Sequence, residues 1–200
     1  MKKYVGTFIA SVALLTALPL AANAADGDAD TQKTTQAEIE LTQGDKKDIT
    51  LDTVPGVKFG SNESKNETVT YPAKTVSDHV QVTNPGNAEG WDVQVSGTAF
   101  KEGNKEIKGA KLKFANGKVT PNDGANESDL PTTKDTTITP DAQSILTAGA
   151  GAGVGAFTLT HTATSVSLYV PAGNIAGNYS STLTWKLVNA PTGAITTPSK

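Results

Sequence analysis

The 200 residues include 17 lysines, no arginine, 20 carboxylates and no cysteine, for a formal net charge of −3. Without arginine there is no planar fork for phosphate or guanine, and no basic face stands out, so nucleic acid is excluded as a partner and anionic membrane surfaces are disfavoured. Without cysteine there can be no disulfide, thiolate nucleophile, cysteine-ligated zinc or iron–sulfur site. Apolar residues make up 36% of the chain and charged ones only 18%, against a typical ~25%. Threonine, close to one residue in seven, leans the composition towards strands.

Residues 1–24 read as a secretory signal peptide. Lys2 and Lys3 form a positive start, Val5 to Leu20 is mostly apolar, and Pro19 precedes the small-residue cleavage pattern Ala22-Asn23-Ala24. Removing this leader takes away two lysines and leaves 15 against the 20 acids, a net charge of −5. No second apolar stretch of spanning length follows, so no membrane span is expected after cleavage. Residues 25–36 are expected to be a flexible lead-in, acidic and then Thr/Gln-rich. Asp26, Asp28 and Asp30 alternate like the start of a calcium loop, but Thr31 and Ala37 stand where that loop needs Gly and Glu, so a solvated tail is expected and no metal.

From here short strands are expected between turn residues. Ala37, Ile39 and Leu41 alternate with polar neighbours. Ile49 and Leu51 follow Gly44-Asp45, and Val80 and Val82 precede Asn84-Pro85-Gly86. Trp91, Val93 and Val95 alternate after Gly90, and Leu112 and Phe114 lead to Asn116-Gly117. Residues 118–134 read as a long surface loop. Residues 141–147 admit one or two helical turns, with Asp141 as a cap after Pro140. The Gly/Ala run 148–156 is a loop; its dinucleotide-like glycine spacing lacks the strand–helix setting that motif needs. Phe157, Leu159 and His161 alternate next, then Val166, Leu168 and Val170. Tyr179, Ser181, Leu183, Trp185 and Leu187 share a final face. This period-2 patterning predicts an all-β antiparallel sandwich, Ig-like in general architecture, with long surface loops and at most one short helix. Residues 192–200 form a Pro/Thr/Gly tail without a sorting signal.

Catalysis has no obvious seat. His79 and His161 are the only histidines. No nucleophile elbow appears, and no His/Glu spacing supplies the three or four ligands zinc needs. The chain reads as a binding protein without cofactors, not an enzyme.

The two tryptophans sit in similar strands, Trp91-Asp92-Val93 and Trp185-Lys186-Leu187, each sharing a face with aliphatic residues two positions away. They either anchor the core or form an aromatic platform for sugar rings; Val93, Val95, Leu183 and Leu187 on the same faces favour burial. Tyr179-Ser180-Ser181-Thr182-Leu183-Thr184-Trp185-Lys186-Leu187-Val188-Asn189-Ala190-Pro191 fits Y-x-x-x-L-T-W-x-L-x-x-x-P at every fixed position, and so resembles the distal motif of the WxL domain of Gram-positive surface proteins. Leu51 to Pro55 leading to Phe59-Gly60, Gly90 to Val93, and Ser167 to Pro171 followed by Ala176-Gly177 resemble the family's other segments in the same order. The resemblance covers residues 37–191. It departs at Val93, where the family name places Leu, and at Thr83-Asn84-Pro85-Gly86, where a charged Asp/Arg pair is often found.

The resemblance implies an exported protein held non-covalently at the cell wall, with peptidoglycan as ligand. It also implies partners among other WxL proteins and membrane-anchored WxL-interacting proteins, with a role in adhesion for some relatives. The residues it singles out are Trp91, Asp92, Val93, Tyr179, Leu183, Thr184, Trp185, Leu187 and Pro191. The alternative is a subunit that docks on a membrane-anchored partner, for which the wall is only the setting.

Overall fold

A computed structural model describes residues 34–42 and 44–189. The expected signal peptide, most of the lead-in, Pro191 and the tail lie outside the described residues. Contacts divide the chain after Glu40. In the first unit the described residues 34–40 carry no strand.

The second unit is built almost wholly from strands. In chain order these are β1 Thr50–Thr53, β2 Gly56–Lys58, β3 Val69–Pro72, β4 Thr75–Ser77, β5 Val80–Asn84, β6 Trp91–Gly97, β7 Lys101–Glu102 and β8 Lys105–Glu106. They continue with β9 Lys111–Phe114, β10 Lys118–Pro121, β11 Thr132–Thr133, β12 Thr136–Thr137, β13 Gln143–Ala148, β14 Gly155–Thr160, β15 Val166–Val170 and β16 Leu183–Asn189. A single 3-10 turn, Ala163–Ser165, precedes β15. Three four-stranded sheets run β1-β5-β14-β10, β11-β13-β6-β16 and β12-β9-β15-β3, and two hairpins pair β2 with β4 and β7 with β8. Every pairing is antiparallel. The all-β sandwich expected from the alternation is thus the architecture found.

One core joins the sheets. Val80, Val82 and Leu159 enter it from the first, Trp91, Val93, Val95 and Leu146 from the second, and Leu112, Phe114, Val166 and Leu168 from the third. All but Leu146, which follows a bulge, are inward positions of period-2 strands, which is why the pattern was readable there. Phe114 lies at the junction, edge-on to His161 at 5.2 Å and to Trp185 at 5.9 Å between ring centroids.

Three expectations are corrected. Residues 141–147 hold no helix, because most of them belong to β13. Its register slips between Ser144 and Leu146, so Ile145 is an extra residue in a bulge and both Ile145 and Leu146 are buried. Residues 118–134 are not one loop, since they contain β10 and β11. Ala37, Ile39 and Leu41 alternate as a strand does, yet the segment pairs with nothing among the described residues, leaving Ile39 85% and Leu41 87% exposed. Among the described residues no helix is long and apolar enough to cross a membrane.

Candidate functional site

The two tryptophan strands are neighbours. β16 lies against β6 with Trp185 opposite Val95, Leu187 opposite Val93 and Leu183 opposite Gly97. Opposed residues share a face, so Trp185, Leu187 and Leu183 point to the core side together with Val93 and Val95. Val93, the departure from Leu, is fully buried. Gly97 makes room for its partner: a Cβ there would stand 2.6 Å from Ile138 Cγ2 and 3.0 Å from Leu183 Cδ2.

Trp91 is fully buried, and its indole N–H donates to the Gly153 carbonyl at 3.1 Å. The close approach needs glycine. Gly153 sits at φ +63, and a Cβ there would come within 2.9 Å of the indole nitrogen. The Gly/Ala run is therefore a seat for this ring. Trp91 is core, which removes it from any exposed platform.

Asp92 lies on the opposite face of the sheet from Trp185, since strand side chains alternate. It is buried but fully engaged. Its Oδ1 accepts from Ser144 Oγ and, at 2.7 Å, from Thr147 Oγ1, while Oδ2 accepts from Gln94 Nε2 at 2.9 Å. Ser144 and Thr147 are three positions apart and reach the same carboxylate only because the bulge in β13 resets the alternation between them. Asp92 thus ties β13 to β6.

Trp185, by contrast, is half-buried and faces a cleft of about 1070 Å³. Its floor is apolar, with Phe59, Phe100, Leu112, Leu168, Leu183 and Trp185. One wall is the segment after β2, residues 59–67, held by Asn62 Nδ2 donating to the Phe59 carbonyl at 2.9 Å and Tyr71 Oη donating to the Glu63 carbonyl at 3.0 Å. The other wall is residues 174–181, which carry Tyr179. Tyr179 is half-buried and donates its hydroxyl to the Ile175 carbonyl at 2.7 Å. Thr184 is exposed and borders a smaller recess between β1 and β16, with Leu51, Asp52, Val54 and Trp185.

The second wall is fastened to the β7–β8 hairpin. Lys101 and Ser180 exchange backbone hydrogen bonds of 2.8 and 3.0 Å. Glu102 Oε1 accepts from the Asn178 amide at 3.0 Å, and its Oε2 lies 3.3 Å from Lys105 Nζ. The Asn178 amide foremost, and then Lys105, hold the Glu102 carboxyl below its ordinary 4.5. The Lys108 amide donates to Asn174 Oδ1 at 2.8 Å. The cleft is therefore preformed, with an apolar floor and a rim of amides and mixed charge.

Of the nine residues singled out, Tyr179, Leu183 and Trp185 line this cleft, and Leu183, Thr184 and Trp185 line the smaller recess. Trp91, Asp92, Val93 and Leu187 build the sheet beneath, and Pro191 lies outside the described residues. Phe100, Glu102 and Asn174 were missed. The signal that could have found the hairpin is Lys101-Glu102-Gly103-Asn104-Lys105-Glu106, a two-residue Gly-Asn turn between mirrored charges.

Asn84, in the segment where the chain departs from the resemblance, holds a turn. Its buried side chain accepts from the amides of Gly86 and Asn87 at 3.2 and 2.7 Å and donates to the Asn87 carbonyl at 3.0 Å. Among the described residues no group of three or more His, Cys, Asp or Glu is placed to hold a metal.

No curated protein and no solved structure matches the chain. A family model described as WxL domain surface cell wall-binding matches residues 23–191. That family is one of binding domains, not enzymes, and its members act at the cell surface. The match spans both tryptophan strands and both cleft walls, and the chain belongs to the WxL domain family of surface, cell wall-binding proteins.

Proposed function

We propose that the chain is held at the wall non-covalently, with the glycan of peptidoglycan seated in the cleft between residues 59–67 and 174–181. The observation that carries this is the joining of Tyr179 and Trp185 with Phe59 over one preformed apolar floor. Sugar rings present apolar faces that stack on aromatic side chains, while their hydroxyl and N-acetyl groups need polar partners at the edge. Asn62 and Asn178 on the rim offer these, whereas the Asn174 amide is spent on Lys108 and Pro171 and holds the wall. The apolar floor also favours a second reading, in which side chains of a membrane-anchored protein occupy the cleft.

The test is co-sedimentation of residues 25–200 with protein-free sacculi at low and moderate salt. The wild type should pellet. Ile175→Lys, at a rim residue 71% exposed, should abolish pelleting with an unchanged melting temperature. A well-folded wild type that stays in the supernatant, but pellets once a membrane-anchored partner is added, would replace the glycan reading with the docking one.

A further inference from the structure

The corner between β9 and β10 is built on Asn116-Gly117, the one place in the chain where glycine follows asparagine. Here the chain passes from the β12-β9-β15-β3 sheet to the β1-β5-β14-β10 sheet. The fold demands both residues. Asn116 sits at φ +49, a left-handed conformation that asparagine tolerates better than most side chains. Gly117 has no room for a side chain: a Cβ there would stand 2.6 Å from Leu159 Cδ1 and 2.8 Å from His161 Nε2.

Hydrogen bonds at the corner are unevenly shared. The Ala115 amide donates to the Ser165 carbonyl at 2.9 Å, and the Asn116 backbone amide donates to Asp135 Oδ1 at 3.0 Å. The Gly117 amide and the Asn116 side chain have no hydrogen-bond partner among the described residues. Asn116 is also exposed. By contrast, Asn62, Asn84, Asn87, Asn122, Asn126 and Asn174 all spend their side chains on protein groups, and each is followed by a residue larger than glycine. At Asn116 the next backbone nitrogen is untied and has no Cβ beside it, so it can approach the side-chain carbonyl without giving up a bond.

We propose that Asn116 is a self-modification site, an asparagine that the native fold leaves open to deamidation by its own backbone. The Gly117 nitrogen bonds to the Asn116 side-chain carbonyl carbon. Its proton passes through water to the side-chain nitrogen, whose bond to that carbon breaks, and ammonia leaves. Water then opens the cyclic imide at one carbonyl or the other, giving aspartate or isoaspartate. The neighbours feel the product. Asp135 already binds the residue 116 amide through Oδ1, and its Oδ2 lies 2.9 Å from Lys113 Nζ. A new carboxylate repels Asp135 and competes for Lys113. The isoaspartyl form lengthens the main chain by one carbon where Gly117 packs on Leu159 and His161. Ammonia once lost does not return, so the modified fraction records how long a molecule has stood at the cell surface. This inference does not rest on the glycan reading, because its test contains no ligand.

The experiment is prolonged incubation of residues 25–200 at neutral pH, folded and in urea. Peptide mass spectrometry then counts deamidation at every asparagine and separates aspartyl from isoaspartyl products. In the folded sample Asn116 should be converted before any other asparagine. Its rate should lie within about tenfold of the rate in urea, the equivalent of a small local opening cost. Asn116→Gln, whose longer side chain closes the imide far more slowly, should stay intact over the same time and keep its melting temperature while that of wild type falls. A folded wild type that keeps Asn116 while the urea sample loses it overturns the proposal, because the corner then protects the pair. So does a folded sample in which another asparagine is converted first.

Discussion

Trp91 and Trp185 stand on adjacent strands and do different work. The first is wholly enclosed with its N–H satisfied; the second shows part of its ring to the cleft. Trp91→Ala should cost about 3–5 kcal/mol, the usual loss for a large buried aromatic. Trp185→Ala should cost roughly half as much, because less apolar surface returns to water. Urea denaturation of both variants checks this, and equal losses would mean that Trp185 is core as well. The sequence carried half of this distinction. Aliphatic neighbours at i±2 marked both rings as facing inward, but nothing local told which strand lay in the middle of its sheet. β6 is flanked on both sides by β13 and β16, whereas β16 has one paired neighbour among the described residues. That difference is made by pairings across the chain and leaves no trace in either motif.

At the scale of elements, legibility followed regularity. β5, β6, β9 and β15 keep their alternation, as β16 does as far as Leu187, and were readable. β13 was not, because its bulge places Ile145 next to Leu146 and breaks the period. β10 and β11 were missed because Lys118, Thr120, Thr132 and Thr133 make polar strands at sheet margins, where water replaces the apolar signal. The cleft wall 174–181 has no regular structure and holds its shape through side chains from a distant hairpin, which no local pattern encodes. Glu102 is the main clasp on the Asn178 amide. Glu102→Ala should therefore speed hydrogen exchange across residues 174–181 while leaving the melting temperature nearly unchanged, since the residue is at the surface. Mass-spectrometric exchange reads this directly. Unchanged protection there would show that the Lys101–Ser180 bridge and the Asn174–Lys108 contacts hold the wall without Glu102.

For the molecule as a whole, stability should fall in acid in two stages. His161 is buried against Phe114, and neither ring nitrogen has a hydrogen-bond partner among the described residues. Burial pushes its pKa below the ordinary 6.5, and the Asp135 carboxylate, itself paired with Lys113, opposes this only in part. Above 6.5 both folded and unfolded chains hold it neutral. Below 6.5 the unfolded chain takes up a proton that the folded one refuses, so stability declines until the folded value is passed. Asp52 adds the second stage, together with Glu102 and Asp135, whose carboxyls are also held below their ordinary values. Burial raises the Asp52 carboxyl, but hydrogen bonds from Thr50, Thr83 and Gln81 outweigh that and hold it below 3.8. Its contribution is present above 3.8 and is lost as pH falls through the folded value. Melting temperatures from pH 7 to 3 should show both declines, and His161→Leu should flatten only the first. A wild-type curve level between pH 6.5 and 5 would remove His161 from this account.

The pairing of β16 with β6 also sets an order in time. Trp185 meets Val95, ninety positions earlier in the chain. A contact of that span closes more than half of the domain before it returns any energy, which slows it relative to local pairings. Until Leu183 to Asn189 arrive, the β6 edge stands open beside Val93 and Val95, and the cleft has neither its Trp185 floor nor its Tyr179 wall. On the proposed reading a chain that lacks its distal strand also lacks the glycan site, so Leu183 to Asn189 both close the sheet and complete the seat.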